Sequence, residues 1–317
     1  MDLNFFASVD SVMQGLIEQQ YIATRSVCTT VFLSGRLEKP LLVEGPAGVG
    51  KTGLAGAIAG AMDAQLVRLQ CYPGLDESKT LYEWNYHKQL LYVQMYGSEH
   101  NLFTEEFLLE RPLLKAFRAK KPVVLLVDEI DKGEDELESF LLEAFSEFQV
   151  TIPEYGTVRA ERRPYVIITS NGTRELSDAM KRRCLYLYLD YPDAELEEAI
   201  ITLKVPGLGG SLVRDIVNFV QRLREMKLKK APSINESIDW ARTLLLLGHD
   251  EISEELARET LNVLLKYEDD IKKVNEQVAK LIPARDEGAE ETLTGKGGMQ
   301  VYQPSAAHET DLSRFNF

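Results

Sequence analysis

Apolar residues along this chain fall into short runs separated by helical patterns. PLLVE at 40–44, PVVLLVDEID at 122–131 and YVIITSN at 165–171 are each brief and bounded by turn residues, which predicts buried strands. Five consecutive apolar positions in the second run suit a strand covered on both faces, as in a parallel sheet. QLVRLQCY at 65–72 and LYLYLDYP at 185–192 also read as strands. Between them lie helical segments: a small-residue stretch at about 52–62, ERPLLKAFRAKKP, and LSDAMKRRC. Ahead of them, Phe5, Val9, Val12, Met13, Leu16 and Ile17 recur near helical spacing, so residues 3–35 are expected to form one or two helices. The alternation predicts an α/β fold with a parallel sheet.

Two stretches interrupt that rhythm. TLYEWNYHKQLLYVQMYG, near 80–97, alternates and is rich in aromatic residues, which predicts an inserted hairpin. FQVTIPEYGTVRAERRP, at 148–164, reads as two short strands around the turn Pro153-Glu154-Tyr155-Gly156. From Asp193 the pattern is helical throughout. Leu212, Ile216, Val217, Val220 and Leu223 mark one amphipathic stripe, and SEELARETLNVLLKYEDDIKKVNEQVAKL is expected to be a long last helix with an exposed, charge-alternating distal half. These patterns divide the chain into a large α/β domain (1–192), a small helical domain (193–282) and a tail (283–317). The tail has few large apolar residues before Leu312, Phe315 and Phe317, and is expected to be mobile or to depend on a partner for order.

Composition narrows the setting. An apolar content of 44% in 317 residues is that of a folded protein. No window is long and apolar enough for a membrane helix, so no stable membrane insertion is expected, and MDLNFFASVDSV lacks the basic start of a secretory signal. Three scattered cysteines and four scattered histidines predict neither a disulfide framework nor a zinc site, and point to a reducing cytoplasm. A net charge of −14 repels phosphodiester backbones, so no nucleic-acid partner is expected.

The chemistry begins where the first strand ends. Gly45, Pro46, Ala47, Gly48, Val49, Gly50, Lys51 and Thr52 spell GPAGVGKT, the G-x-x-x-x-G-K-[ST] phosphate loop. Its glycines let successive N–H groups point into one concavity. Lys51 brings an ammonium to the β- and γ-phosphates of ATP, the Thr52 hydroxyl can ligate Mg²⁺, and the following helix aims its positive end at the anion. The acidic strand then ends in Asp128 and Glu129, at the edge where a parallel sheet binds its ligand. Asp128 suits Mg²⁺, and Glu129 suits a general base for the attacking water. The next strand ends in Thr169, Ser170 and Asn171, within reach of the γ-phosphate or that water.

This order of phosphate loop, acidic strand, polar-ended strand and paired arginines resembles the AAA+ ATPases over roughly residues 15–265. The resemblance implies a P-loop NTPase with a three-layer αβα domain and a parallel sheet, followed by a small all-helical lid domain. It assigns Walker A to Gly45–Thr52, Walker B to Asp128 and Glu129, sensor 1 to Asn171, and the arginine finger to Arg183, with Arg182 and Arg174 as other candidates. A guanidinium there would stabilise charge on the transferred phosphoryl group of a neighbouring subunit. Asn235 stands where a second-sensor arginine is expected, and Arg242 is a poor geometric substitute, so that role stays unassigned. Tyr21 and Ile22 fall where the family packs its adenine.

Within AAA+ proteins, DEIDKGEDELESFLLEAFSEFQVTIPEYGTV, NGTRELSDAMKRRCLYLYLDYP and PSINESIDWARTLLLLG are most similar to the MoxR branch, and there to the sub-group found with CO-dehydrogenase-type maturation genes. That implies a hexameric ring that remodels a client enzyme, with a von Willebrand factor A partner and pore-facing insertions. Two other classes remain: a nucleotide kinase or phosphotransferase, and a nucleic-acid motor. The arginine pair and the helical C-terminal part favour the remodeller, and the acidic charge disfavours the motor.

Overall fold

The computed structural model describes residues 4–97 and 100–282; the tail 283–317, expected to be mobile, lies outside them. The chain opens with α1 (Val9–Glu18) and α2 (Arg25–Leu37), each started by a hydroxyl that accepts a backbone N–H, Ser8 from Ser11 and Thr24 from Val27. β1 (Leu41–Glu44) leads through residues 45–50 into α3 (Lys51–Ala61), and β2 (Gln65–Gln70) returns. Then come α4 (Glu77–Leu81), β3 (Tyr82–Trp84), α5 (Tyr86–Tyr96), β4 (Leu108–Glu110) and α6 (Pro112–Phe117). The acidic strand β5 (Val123–Asp128) is followed by α7 (Asp135–Glu147), the hairpin β6 (Gln149–Ile152) and β7 (Gly156–Arg159), β8 (Tyr165–Ser170), α8 (Asp178–Arg183) and β9 (Leu185–Tyr188). The remaining described elements are helices: α9 (Ala194–Lys204), α10 (Gly210–Glu225), α11 (Ile234–Leu247), α12 (Glu254–Leu264), α13 (Glu268–Asn275) and α14 (Val278–Leu281).

Five strands form one parallel sheet in the order β2-β5-β8-β1-β9. Strand side chains alternate between faces, so each strand serves two cores. Leu41 and Val43 pack with Leu54 and Ile58 of α3 and Leu16 of α1, whereas Leu42 packs with Phe117 of α6 and Leu141 of α7. β5 is buried along its whole length, which explains its unbroken apolar run. Each such Val or Leu is worth about 1.5–3 kcal/mol relative to exposure. Because the strands are parallel, all their C-terminal ends open on one edge.

The last helices build a third core around Trp240, whose indole N–H donates to the Thr260 hydroxyl at 2.8 Å. A buried ion pair ties α10 to α9, Arg224 meeting Glu197 at 2.6 Å. The same guanidinium lies over the ring of Tyr191, in the segment that leaves β9. The three cysteines are buried, and that burial pushes the Cys28 thiol up to about 11 and those of Cys71 and Cys184 up to about 12.

Two elements differ from the sequence expectation. The stretch near 80–97 is not a hairpin. β3 pairs instead with β4, Tyr82 opposite Glu110 and Trp84 opposite Leu108, and residues 86–96 between them form α5. Asn85 stops the strand and starts the helix, because its side chain accepts the Lys88 N–H at 3.0 Å. The aromatic alternation is also helical spacing there: the Tyr92 and Tyr96 rings lie 4.8 Å apart, one turn along α5. The expected long last helix is three shorter ones. Leu264, Leu265, Val274 and Val278 are all buried in the helical core, so the chain folds back and one face of its distal half is packed rather than free. Asp270 fixes that return by accepting the N–H groups of Lys229 and Lys230.

Candidate functional site

The loop after β1 is shaped by two close approaches. A Cβ on Gly45 would stand 1.9 Å from the Leu189 carbonyl oxygen, and one on Gly48, at φ +83°, would stand 2.2 Å from the Ser233 hydroxyl. The first contact is to the segment after β9. The second is to the N-cap of α11, so the helical C-terminal part touches the phosphate loop directly. Lys51 is buried, and its ammonium donates to the carbonyls of Gly45 (2.6 Å) and Pro46 (2.7 Å) and to Asn171 Oδ1 (2.8 Å). Burial pulls its pKa below the ordinary lysine value, against the opposing fields of Asp131, Asp128, Glu129 and Glu44.

Asp128 ends the buried strand β5 and is itself buried. Its carboxylate accepts the hydroxyls of Thr52 at 3.2 Å and Thr169 at 2.5 Å and pairs with the Arg68 guanidinium at 2.5 Å. Glu129 turns away in a left-handed conformation, φ 57° and ψ 51°, a strain of about 1–2 kcal/mol for a residue with a Cβ. Its N–H donates to the Thr169 hydroxyl at 2.9 Å. Its carboxylate accepts from Gln70 Nε2 (2.8 Å), Lys132 Nζ (2.7 Å) and Asn171 Nδ2 (3.2 Å). Hydrogen bonding to Glu129 raises the Lys132 pKa. Asn171 therefore links Lys51 on one side to Glu129 on the other, so the ends of β1, β5 and β8 share one polar cluster.

Asp131 was not singled out from the sequence, yet it holds the loop carrying Asn171. It accepts the N–H of Asn171 (3.2 Å), the N–H of Thr173 (3.1 Å) and the Thr173 hydroxyl (2.5 Å). Burial works to raise its pKa, but these hydrogen bonds together outweigh burial and lower it below 3.8. A depressed carboxylate pKa stabilises the fold above the unfolded value and loses that contribution as pH falls through the folded one. Asp131→Ala is expected to lower stability by about 1–3 kcal/mol at neutral pH, the scale of hydrogen bonds to a charged group. The gap to wild type should close below pH 3.8, which denaturant titrations across pH can measure.

The three arginines occupy different situations. Arg174 is held within its own chain by Asp135 at 2.8 Å, Glu138 at 2.5 Å and the Gly133 carbonyl at 3.0 Å. Arg182 and Arg183 are both exposed, and Arg183 donates to the Leu142 carbonyl at 2.9 Å. Both close α8, just before Leu185, which pairs with Leu41 at the start of β1. The phosphate loop leaves the other end of β1, so the structure does not bring Arg183 to its own phosphate site. About 10 Å of strand lies between, at roughly 3.3 Å per residue.

Beside the loop is a cavity of about 480 Å³ lined by Tyr21, Ile22, Val49, Gly50, Tyr191 and Ile238, with Asn235 at its wall. It gathers both residues expected near a base. Arg242 is not there; it pairs with Asp239 in the first half of α11. Sequence reasoning missed Arg68, Gln70, Lys132 and Tyr191. The polar residues that interrupt β2 on one face, Arg68 and Gln70, were the available signal for the first two.

Residues 40–184 match the family model of the AAA domain, dynein-related subfamily. Over 233 residues the chain is 27% identical to the gas vesicle ATPase GvpN1 of Halobacterium salinarum, an alignment covering 66% of this chain and 64% of that protein. It is 26% identical over 240 residues to an uncharacterized protein of Staphylococcus haemolyticus, covering 74% of this chain and 86% of the relative. Among solved structures, a mutant of Thermotoga maritima RuvB is similar with a TM-score of 0.50 at 17% identity, over 86% of this chain and 80% of that one. These likenesses show the fold, a parallel central sheet flanked by helices of the kind found in P-loop AAA+ proteins, followed by a helical part. No helix among the described residues is long and apolar enough to cross a membrane.

Proposed function

We propose that this chain hydrolyses ATP as a MoxR-type AAA+ ATPase. In this reading it works in the cytoplasm as a hexameric ring that remodels a client enzyme in metallocentre maturation, with a von Willebrand factor A protein as partner. The observation that carries the ATPase reading is the bridge through Asn171, which joins the phosphate-loop lysine to the acid of the acidic strand. A structural Gly-rich turn has no need of a buried lysine facing four acids. The AAA-domain match at 40–184 and the relative named as an ATPase support it. The MoxR assignment and its partner and client rest on the three stretches quoted above.

The residues present fit Mg²⁺ and a nucleotide. Thr52 and Asp128 are hard oxygen donors placed side by side, and Arg68 already lies against Asp128 as a cationic stand-in. Mg²⁺ held there would neutralise charge on the phosphate oxygens. Lys51 exchanges its carbonyl partners for phosphate oxygens. Asn171 orients the attacking water, and Glu129 takes the proton from it once its own donors loosen. The cavity lined by Tyr21 and Tyr191 would take the adenine. The hairpin β6–β7 joins α7 to β8, so it is anchored between the acid pair and Asn171, and in this reading its tip at Glu154 and Tyr155 passes nucleotide state to a client.

The test is Glu129→Gln. The amide keeps the shape of the acid but cannot accept the proton. ATP affinity should stay within about threefold while phosphate release falls by about 10²–10⁴-fold, the span of general-base catalysis. Normal turnover would refute the assignment of the base. Stimulation of wild-type hydrolysis by single-stranded DNA would favour the motor, and phosphate transfer to an added acceptor would favour the kinase.

A further inference from the structure

β2 is an edge strand that reaches the site with two polar side chains on one face. Arg68 and Gln70 are two residues apart, with Arg68 opposite Leu126 and Gln70 opposite Asp128 on β5. Arg68 Nη2 lies 2.5 Å from Asp128 Oδ2 and also donates to Gln70 Oε1. With its oxygen engaged by Arg68, the Gln70 amide turns its nitrogen to Glu129 Oε2 at 2.8 Å. Thus Arg68 holds one acid of the pair directly and the other through Gln70.

The carboxylate oxygens of Asp128 are divided. Oδ1 takes the Thr169 and Thr52 hydroxyls, and the closest partner of Oδ2 is Arg68. The carboxylate is 3% exposed, whereas the Arg68 side chain is 53% exposed and so can swing to solvent without breaking the core. The site already gathers the carboxylates of Asp128, Glu129, Asp131 and Glu44, all of which act on Lys51. A second cation lowers the repulsion among them.

We propose that Arg68 is a positioning residue that competes with Mg²⁺ for Asp128. It serves as the counter-ion of the acid pair and yields that place when the metal arrives with the nucleotide. The inference rests on reading the site as one for Mg²⁺ and ATP. Its consequence is a metal response set by Arg68: the guanidinium makes the metal bind less tightly, and makes metal-free nucleotide bind less poorly. Its departure also frees the Gln70 oxygen, so binding at Asp128 loosens the hold on Glu129.

The experiment follows binding of a fluorescent N-methylanthraniloyl ATP, titrated with Mg²⁺ and, separately, in excess EDTA. In Arg68→Ala and Arg68→Gln the Mg²⁺ concentration for half-saturation should fall about two- to fivefold, the range a half-exposed ion pair supports. In EDTA the same variants should bind the nucleotide more weakly by a similar factor. Arg68→Lys, which keeps the charge, should stay close to wild type in the EDTA arm. An unchanged or raised Mg²⁺ half-saturation in neutral variants that still bind nucleotide overturns the competition and leaves Arg68 a surface ion pair. Failure of the wild type to bind the nucleotide at any Mg²⁺ concentration is a different result, and overturns the ATP site itself.

Discussion

Lys51→Ala weakens ATP binding by at least about 100-fold, measured by equilibrium titration, because the phosphate loop loses its buried cation. Hydrogen bonds to charged groups are each worth about 1.5–3 kcal/mol, and 1.4 kcal/mol is tenfold in affinity, so two lost phosphate contacts exceed that bound. The acids near Lys51 add to the loss. Asp131, Asp128, Glu129 and Glu44 all act on its ammonium, and without it their field opposes a polyanion. The substitution also strips Gly45 O, Pro46 O and Asn171 Oδ1 of a donor. A misfolded loop would mimic the result, so the variant's thermal transition has to be compared with wild type, and Lys51→Met, which keeps the length of the stem, run beside it. Tight ATP binding by either folded variant would remove the loop from the nucleotide site.

That prediction rests on residues legible in the chain alone, and the reason is local. The phosphate loop is contiguous, its glycines and lysine stand at fixed spacing within eight residues, and the strand before it is short and apolar. The same holds for β5, where five apolar residues and an acid pair say both strand and site. What sequence could not supply is what depends on distant partners. The alternation that is a strand at Tyr82–Trp84 continues into α5, because the true partner of that strand is β4, beyond the helix. The break between α12 and α13 is set by burial of Leu264 and Leu265, not by any Gly or Pro. Arg68 and Gln70 look like the solvent face of an edge strand. Only the register of β2 on β5 sets them beside Asp128 and Glu129. Asp131 is hidden for the same reason, since its three donors come from the loop after β8.

Arg183→Ala should bind ATP normally and hydrolyse it about 10³-fold more slowly, within the range that an arginine finger supplies to phosphoryl transfer. The geometric argument is that Arg183 closes α8 beside the start of β1, while the phosphate loop leaves the end of β1. The two also lie on opposite faces of the sheet. Met180 and Cys184 pack with α6 and α7, whereas α3 packs in the other core. A guanidinium so placed cannot reach the phosphate loop of its own chain, and the proposed head-to-tail ring would offer it to the site of the next subunit. Arg174 does not fit, because two carboxylates and a carbonyl of its own chain hold it. The decisive measurement mixes Arg183→Ala with Glu129→Gln subunits. The first brings an intact base and the second an intact arginine, so at equal amounts about a quarter of the interfaces in a randomly mixed ring are complete. Phosphate release should then rise to that order, far above either variant alone. A mixture no faster than the mean of its two components would refute the trans arrangement, as would wild-type activity that stays constant per subunit on dilution to monomer. If Arg182→Ala loses turnover and Arg183→Ala does not, the finger is Arg182, and the hydrogen bond from Arg183 to Leu142 is structural.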